Sequence, residues 1–176
     1  MSEEKDKKDK KDKIDEKSAE SAENKYLIFS ADGRTFSINF TDVKVIIPSQ
    51  KAEKIPDFPD YADGTVVYDG TVITVINLRK RFDYAVKDFS DRDCIIVCDG
   101  EKNIGLLCDS ISGFREIDSS NIQPAPDINE QVNARFISGE FLLDGEPCYI
   151  IKPELVIKKD DESIIASASQ QENENI

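Results

Sequence analysis

The sequence predicts an all-β protein of about ten short strands, and three observations carry that reading. Apolar, β-branched runs of five to eight residues are broken by Gly, Asp and Pro every eight to twelve positions between residues 26 and 158. No amphipathic pattern long enough for a helix of three turns is visible in that stretch. Asp69-Gly70 sits between two such runs, and both central residues of a type I′ turn need positive φ, which Asp and Gly tolerate best. Ten strands over about 130 residues exceed what one small barrel needs and suggest two.

The elements follow in order. Tyr26 to Ser30 reads as the first strand, Ala31-Asp32-Gly33 as its turn, and Thr35 to Phe40 as the second, with Phe36, Ile38 and Phe40 alternating inward. Val43 to Ile47 is the third, and Pro48, Pro56 and Pro59 mark a long irregular connection after it. Gly64 to Tyr68 and Thr71 to Leu78 flank the Asp-Gly turn and must pair. The polar stretch Arg79 to Arg92 reads as a loop. Cys94 to Cys98 and Ile104 to Cys108 surround Asp99-Gly100-Glu101-Lys102-Asn103, and Ile111 to Ile117, Ala134 to Leu143 and Pro147 to Ile151 complete the set. Lys152-Pro-Glu-Leu-Val predicts a closing helical turn with Pro153 near its start.

The ends differ from the middle. Residues 1–25 carry eight Lys against nine Asp and Glu with almost no apolar side chain besides Ile14, so they cannot offset the entropy of ordering and read as a disordered tail. Residues 159–176 carry one Lys against five acids and read as a mobile acidic tail, with a short helix docking Ile164 and Ile165 as the competing possibility. The folded unit expected between them is 26–158.

Charge and composition exclude much. Of 176 residues, 23 are Lys or Arg and 36 Asp or Glu, a formal net charge of −13. That argues against a nucleic-acid or anionic-membrane binder, both of which depend on positive fields. A basic partner surface is one complement to the acidic surface, and solubility alone is the plainer one. The chain has no His and no Trp, which removes the commonest general base, the commonest metal ligand and every Ser-His or Cys-His catalytic arrangement. Met1 is followed by Ser-Glu-Glu-Lys without an apolar run of signal-peptide or membrane-span length, so a cytoplasmic protein with no membrane insertion is expected. The four cysteines, Cys94, Cys98, Cys108 and Cys148, lie in apolar segments and read as small buried hydrophobes; their spacing is no metal knuckle. No cofactor, metal or catalytic residue is expected. A different class, an acidic metal-binding or hydrolytic barrel using Asp91, Asp93, Asp99 or Asp109, stays as the enzymatic alternative, though the first two read as loop caps.

Several separated segments, in order, resemble one family. They are YLIFSADGRTFSINFTDVKVI, PDYADGTVVYDGTVITVINLRKRF, IGLLCDSISGF, NIQPAPDI and RFISGEFLLDGEPCYIIKPELVI, and together they span Tyr26 to Ile157. The stretch resembles the CheW-like domain, the chemotaxis adaptor that links chemoreceptors to the histidine kinase CheA. The resemblance implies two intertwined five-stranded SH3-like β-barrels with a hydrophobic groove between them, and a scaffold in place of a catalyst. It also implies two partners: the cytoplasmic tip of a methyl-accepting chemoreceptor, whose helices sit in the groove, and the regulatory domain of CheA, which packs on one barrel. The protein would then be recruited to membrane-associated receptor arrays. By position the groove-lining candidates are Phe40, Val43 and Val45 from the first half and Leu106, Cys108 and Ile111 from the second; the bland alternative for each is ordinary core. Asp109 is read as the family's structural Asp at a strand end.

Two departures bear on the receptor. Val67-Tyr68-Asp69-Gly70 stands where the family has Asn-Leu-Arg-Gly, and Val45 stands where its Val-x-Glu-Ile segment has Glu. Both halves of what looks like a family ion pair are absent, which is easier to tolerate than the loss of one. Thr74 and Asn77 replace the usual Pro and Asp, while Leu78 and Arg79 remain. The readings left open are drift within the fold, and a diverged adaptor with altered receptor specificity or a role outside chemotaxis.

Overall fold

The computed structural model describes residues 21–125 and 134–174. Ten strands run β1 (Lys25–Ala31), β2 (Arg34–Asn39), β3 (Val43–Pro48), β4 (Ala62–Tyr68), β5 (Thr71–Asn77), β6 (Cys94–Cys98), β7 (Ile104–Cys108), β8 (Ser110–Glu116), β9 (Ile137–Leu143) and β10 (Glu146–Ile151). They form two five-stranded sheets, ordered β8-β1-β2-β10-β9 and β3-β6-β7-β5-β4. The first sheet takes its strands from both ends of the chain and the second from the middle, so the two units are intertwined. Each sheet is antiparallel except at one pair, β2 with β10 and β5 with β7.

Three hairpins are closed by two-residue Asp-Gly loops with positive φ at both positions: Asp32-Gly33 at 52° and 73°, Asp69-Gly70 at 50° and 72°, and Asp144-Gly145 at 51° and 84°. This is the twist-matched turn expected at Asp69-Gly70, used three times.

Most strands are buried on both faces, which explains why they read as continuous apolar runs. Leu27, Phe29 and Ala31 of β1 join the largest cluster while Tyr26 and Ile28 join a smaller one. On β6, Ile96 and Cys98 face that same large cluster, and Ile95 and Val97 face a third. The large cluster therefore lies between the two sheets, and each smaller cluster lines the far face of one. A column of rings crosses the shared core, from Phe29 to Phe36 at 5.9 Å, Phe36 to Phe82 at 5.3 Å and Phe82 to Phe136 at 5.2 Å. Such ring pairs add about 0.5–1.5 kcal/mol each beyond area burial. Gly105 of β7 is required by close packing, because a Cβ there would stand 2.5 Å from Ile95 Cγ2 and 3.0 Å from Ile73 Cγ2.

The helical elements revise several expectations. Strand β5 ends at Asn77, whose side chain caps a short helix α1 (Leu78–Arg81), so the polar stretch after Leu78 opens as helix and not as loop. Residues Ala134–Phe136 form a 3-10 turn before β9. The closing turn is α2 (Pro153–Val156), with Pro153 at its start as expected. The C-terminal segment is helical over α3 (Glu162–Glu174), with Ile165 1 % exposed and Ile164 turned outward. One buried isoleucine, with Ala168 beside it on the same face, gives the segment an apolar stripe against β5 that its composition conceals. The expectation of a disordered N-terminal tail falls, for residues 1–20, outside the described residues.

An ionic joint ties the sheets together. Arg79, in α1 directly after the second sheet's β5, donates to Asp109 through Nε (3.0 and 3.1 Å) and Nη2 (2.7 Å), and through Nη1 to Asp32 (3.0 Å) in the first sheet's β1–β2 turn. The Asp32 backbone N–H also donates to Asp109 at 2.7 Å. Burial alone would raise the Asp109 pKa, but the hydrogen bonds from Arg79 and from Asp32 N–H hold it below the usual carboxylate range. A second half-buried cation, Arg81, stacks on Phe136 at 4.0 Å and Tyr61 at 4.7 Å and donates to the Val156 carbonyl, linking α1 to α2.

Candidate functional site

The inter-sheet core reaches the surface at one end, and there the local sequence forces an aromatic side chain outward. Strand β2 ends at Asn39, whose Oδ1 accepts from Thr41 N (3.0 Å) and Thr41 Oγ1 (2.7 Å), starting a 3-10 turn over Phe40–Asp42. Its Nδ2 donates to the Glu23 carbonyl at 2.7 Å. Phe40 thereby stays on the core side of the sheet but beyond the covered region, 38 % exposed.

Its partner is Phe114 of β8, an edge strand. The rings meet edge to face, 5.4 Å apart and at 78°, and Lys25 Nζ lies over both, 4.8 and 5.0 Å from their centroids. Phe114 is 39 % exposed. A bulge makes this possible: Ile28 pairs with Gly113 but Phe29 pairs with Ile111, so Ser112 is an extra residue. Leu27 and Phe29 both face the shared core, so their partners Phe114 and Ile111 share that side despite being three apart. Gly113, at φ 117°, supplies the backbone conformation.

A second bulge separates two of the candidates predicted from the sequence. Val43 pairs with Cys98 and Val45 with Val97, leaving Lys44 as the extra residue. Val43 packs against the shared core, whereas Val45 packs against the far cluster of the second sheet. Expected on one face by simple alternation, the two valines lie on opposite faces.

The structure joins Phe40 to Phe114 and Lys25, places Val43 and Ile111 against the same shared core, and sets the other candidates apart. Leu106 and Cys108 are 0 % and 2 % exposed, so they belong to the shared core and present no surface to a partner. Asp69 stands exposed at the tip of the β4–β5 hairpin, held there by its turn conformation. Phe114 was missed because Ser112 breaks the period-two pattern; the signal for it was the Ser-Gly pair in the middle of an apolar run.

Of the four carboxylates offered for an enzymatic alternative, Asp91 and Asp99 are exposed and the other two are engaged otherwise. Asp93 accepts from Lys87 Nζ (2.6 Å) and Ser90 N (3.0 Å), which makes it a loop cap, and Asp109 belongs to the ionic joint. Burial drives the thiols of Cys98 and Cys108 far up and that of Cys148 to about 11, leaving them protonated and inert at neutral pH. What the rim offers chemically is apolar contact flanked by a cation.

Comparison with known proteins agrees with this architecture. The family model described as CheW-like domain matches residues 25–161. The chain is 27 % identical over 134 residues to the probable chemotaxis protein CheW of Rhizobium etli, covering 76 % of this chain and 86 % of that protein. It is 29 % identical over 104 residues to chemotaxis protein CheW of Bacillus subtilis, covering 58 % and 67 %. Among solved structures, the scaffolding protein TtCheW from Thermoanaerobacter tengcongensis superposes with a TM-score of 0.72 at 26 % identity, over 78 % of this chain and 94 % of that one.

Proposed function

The chain belongs to the CheW-like domain family, and on that premise we propose how it works as a non-enzymatic coupling adaptor of chemotaxis. It holds a chemoreceptor's cytoplasmic tip in the cleft between its sheets and the regulatory domain of the histidine kinase CheA on the outside of one barrel. The observation that supports this best is the exposed Phe40–Phe114 pair. Two rings are left partly exposed at the rim of the shared core, 38 % and 39 %, at a cost that is recovered when something apolar covers them. An amphipathic helix laid along β8 would bury Phe40 and Phe114 and continue onto Val43 and Ile111. Lys25 above the rings favours an acidic residue on the helix flank.

Rigidity suits the role. Both sheets share one core, and Arg79 with Asp109 and Asp32 fixes their relative position, so a helix in the cleft and a kinase domain on a barrel are held at a set distance. Val45 packs on the opposite face from Val43, but a receptor tip that extends from the rim to the β4–β5 hairpin also meets Asp69. The local charge where the family carries Arg is reversed at Asp69, and like charge across an interface costs several kcal/mol, which favours a receptor tip lacking an acid at that position.

Titrating the purified chain by calorimetry with a receptor-tip fragment, and separately with the CheA regulatory domain, tests the proposal. Saturable binding to both, with receptor binding lost in Phe40→Asp/Phe114→Asp and kinase binding retained, is expected. Binding to neither would refute it, as would receptor binding indifferent to the double change.

A further inference from the structure

A separate cleft of about 620 Å³ opens on the far face of the second sheet, away from the inter-sheet rim. Its floor is Val75 and Leu107, which pack with that face's own cluster. One wall is the β3–β4 connection with Lys51, Ala52 and Lys54, and the other is the loop after α1 with Val86 and Phe89. Val86 and Phe89 are 65 % and 67 % exposed. Two large apolar side chains so uncovered, next to an apolar floor, form a patch of the kind that marks a contact surface.

The charge of the cleft runs against that of the molecule. Three carboxylates line it, and each is paired by a cation that also lines it: Asp63 with Lys80 at 2.6 Å, Asp93 with Lys87 at 2.6 Å, and Asp109 with Arg79 at 2.7 Å. Lys51 and Lys54 pair with no carboxylate among the described residues. The cleft therefore keeps a local surplus of two positive charges in a chain of net charge −13. In a chain of this net charge such a surplus selects for position as well as for charge.

We propose that this cleft is a docking site for an acidic peptide segment of a partner protein, one carrying an aromatic or aliphatic side chain among Asp and Glu. The apolar side chain enters between Phe89 and the Val75–Leu107 floor, and the carboxylates meet Lys51 and Lys54 at the mouth. The site is distinct from the Phe40–Phe114 rim and does not depend on which receptor occupies it.

The test uses the full chain, isotope-labelled, and three capped pentapeptides: Glu-Asp-Phe-Glu-Leu, the same peptide with Lys for every acid, and the same acids with Ser for Phe and Leu. The first is expected to saturate, shifting amide signals of residues 51–54 and 86–89. Its affinity should fall about tenfold or more, which is about 1.4 kcal/mol, in Lys51→Glu/Lys54→Glu and again in Phe89→Ser. The exposure of all three positions leaves the fold intact, which the melting temperature checks. Raising salt to about 0.5 M, well beyond physiological screening, should weaken it, and Phe40→Asp/Phe114→Asp should leave it unchanged. Absence of saturable binding would overturn the proposal. Equal binding of the Ser-substituted peptide, or shifts centred on Phe40 and Phe114, would overturn it too.

Discussion

Replacing Asp109 by Ala removes the centre of the joint between the two sheets, and the structure sets the scale of the effect. The carboxylate accepts three contacts from Arg79, at 3.0, 3.1 and 2.7 Å, and one from the Asp32 backbone N–H at 2.7 Å. Hydrogen bonds to charged groups are worth about 1.5–3 kcal/mol each when buried and are not additive. Side-chain exposures of 16 % for Arg79 and 19 % for Asp109 place the pair between a surface bridge and a fully buried one. Arg79 keeps Asp32 at 3.0 Å and the Ala85 carbonyl at 2.7 Å, so it is not left wholly unpaired. The expected loss is about 2–3 kcal/mol, read as a lower urea midpoint with unchanged slope. Arg79→Met should cost a similar amount, and the double variant less than the sum, with a coupling of about 1–2 kcal/mol. Acid should reproduce the effect. The folded pKa of Asp109 is depressed, so its contribution is complete above the unfolded value near about 4 and is lost as pH falls through that value toward the folded pKa. The pH dependence of stability in that window should flatten in Asp109→Ala. Single-variant losses below about 0.5 kcal/mol, the scale of an ordinary surface change, or no coupling, would refute the joint.

Three further outcomes follow from the packing. Gly105→Ala forces a methyl group into the 2.5 Å gap to Ile95 Cγ2 and should cost about 1–3 kcal/mol, a melting-temperature drop of roughly 2–12 °C for a chain of this size. Iodoacetamide at neutral pH should alkylate half-buried Cys94 first, with Cys98, Cys108 and Cys148 reacting only as the protein unfolds, which mass spectrometry resolves. Ile165→Asp should release α3 from the second sheet, seen as faster amide exchange over residues 162–168 with β1 and β2 still protected, because the helix holds on by Ile165 and Ala168.

Much of the architecture was legible because turn chemistry and strand composition point the same way. Asp69-Gly70 announces its hairpin, and the continuous apolar runs at Cys94–Cys98 and Ile104–Cys108 announce strands buried on both faces. The cleft was less legible, since strict alternation fails at Lys44 and Ser112. Each adds one residue to an edge strand, which sends Val45 to the opposite face from Val43 and brings Phe114 round to join Ile111. The Ser112-Gly113 pair is a local signal for the second bulge, whereas nothing in the residues around Lys44 distinguishes the first from regular strand. Leu106 and Cys108 were placed at the groove by position in the chain, but burial depth depends on which strands cover them, and β7 is central in its sheet. The contact between Arg79 and Asp109 spans 30 residues and depends on the crossover that lays β7 beside β5. The helix over 162–174 turns on one isoleucine, Ile165, finding β5.

Coupling is tested most directly by a bridging measurement. Membranes bearing a chemoreceptor are sedimented with CheA in the presence and absence of the full chain. The account predicts that CheA sediments in proportion to the chain added, and that Phe40→Asp/Phe114→Asp, while still binding CheA in solution, leaves the kinase in the supernatant. Sedimentation of CheA that is unaffected by the chain, or fully supported by the double variant, would contradict it.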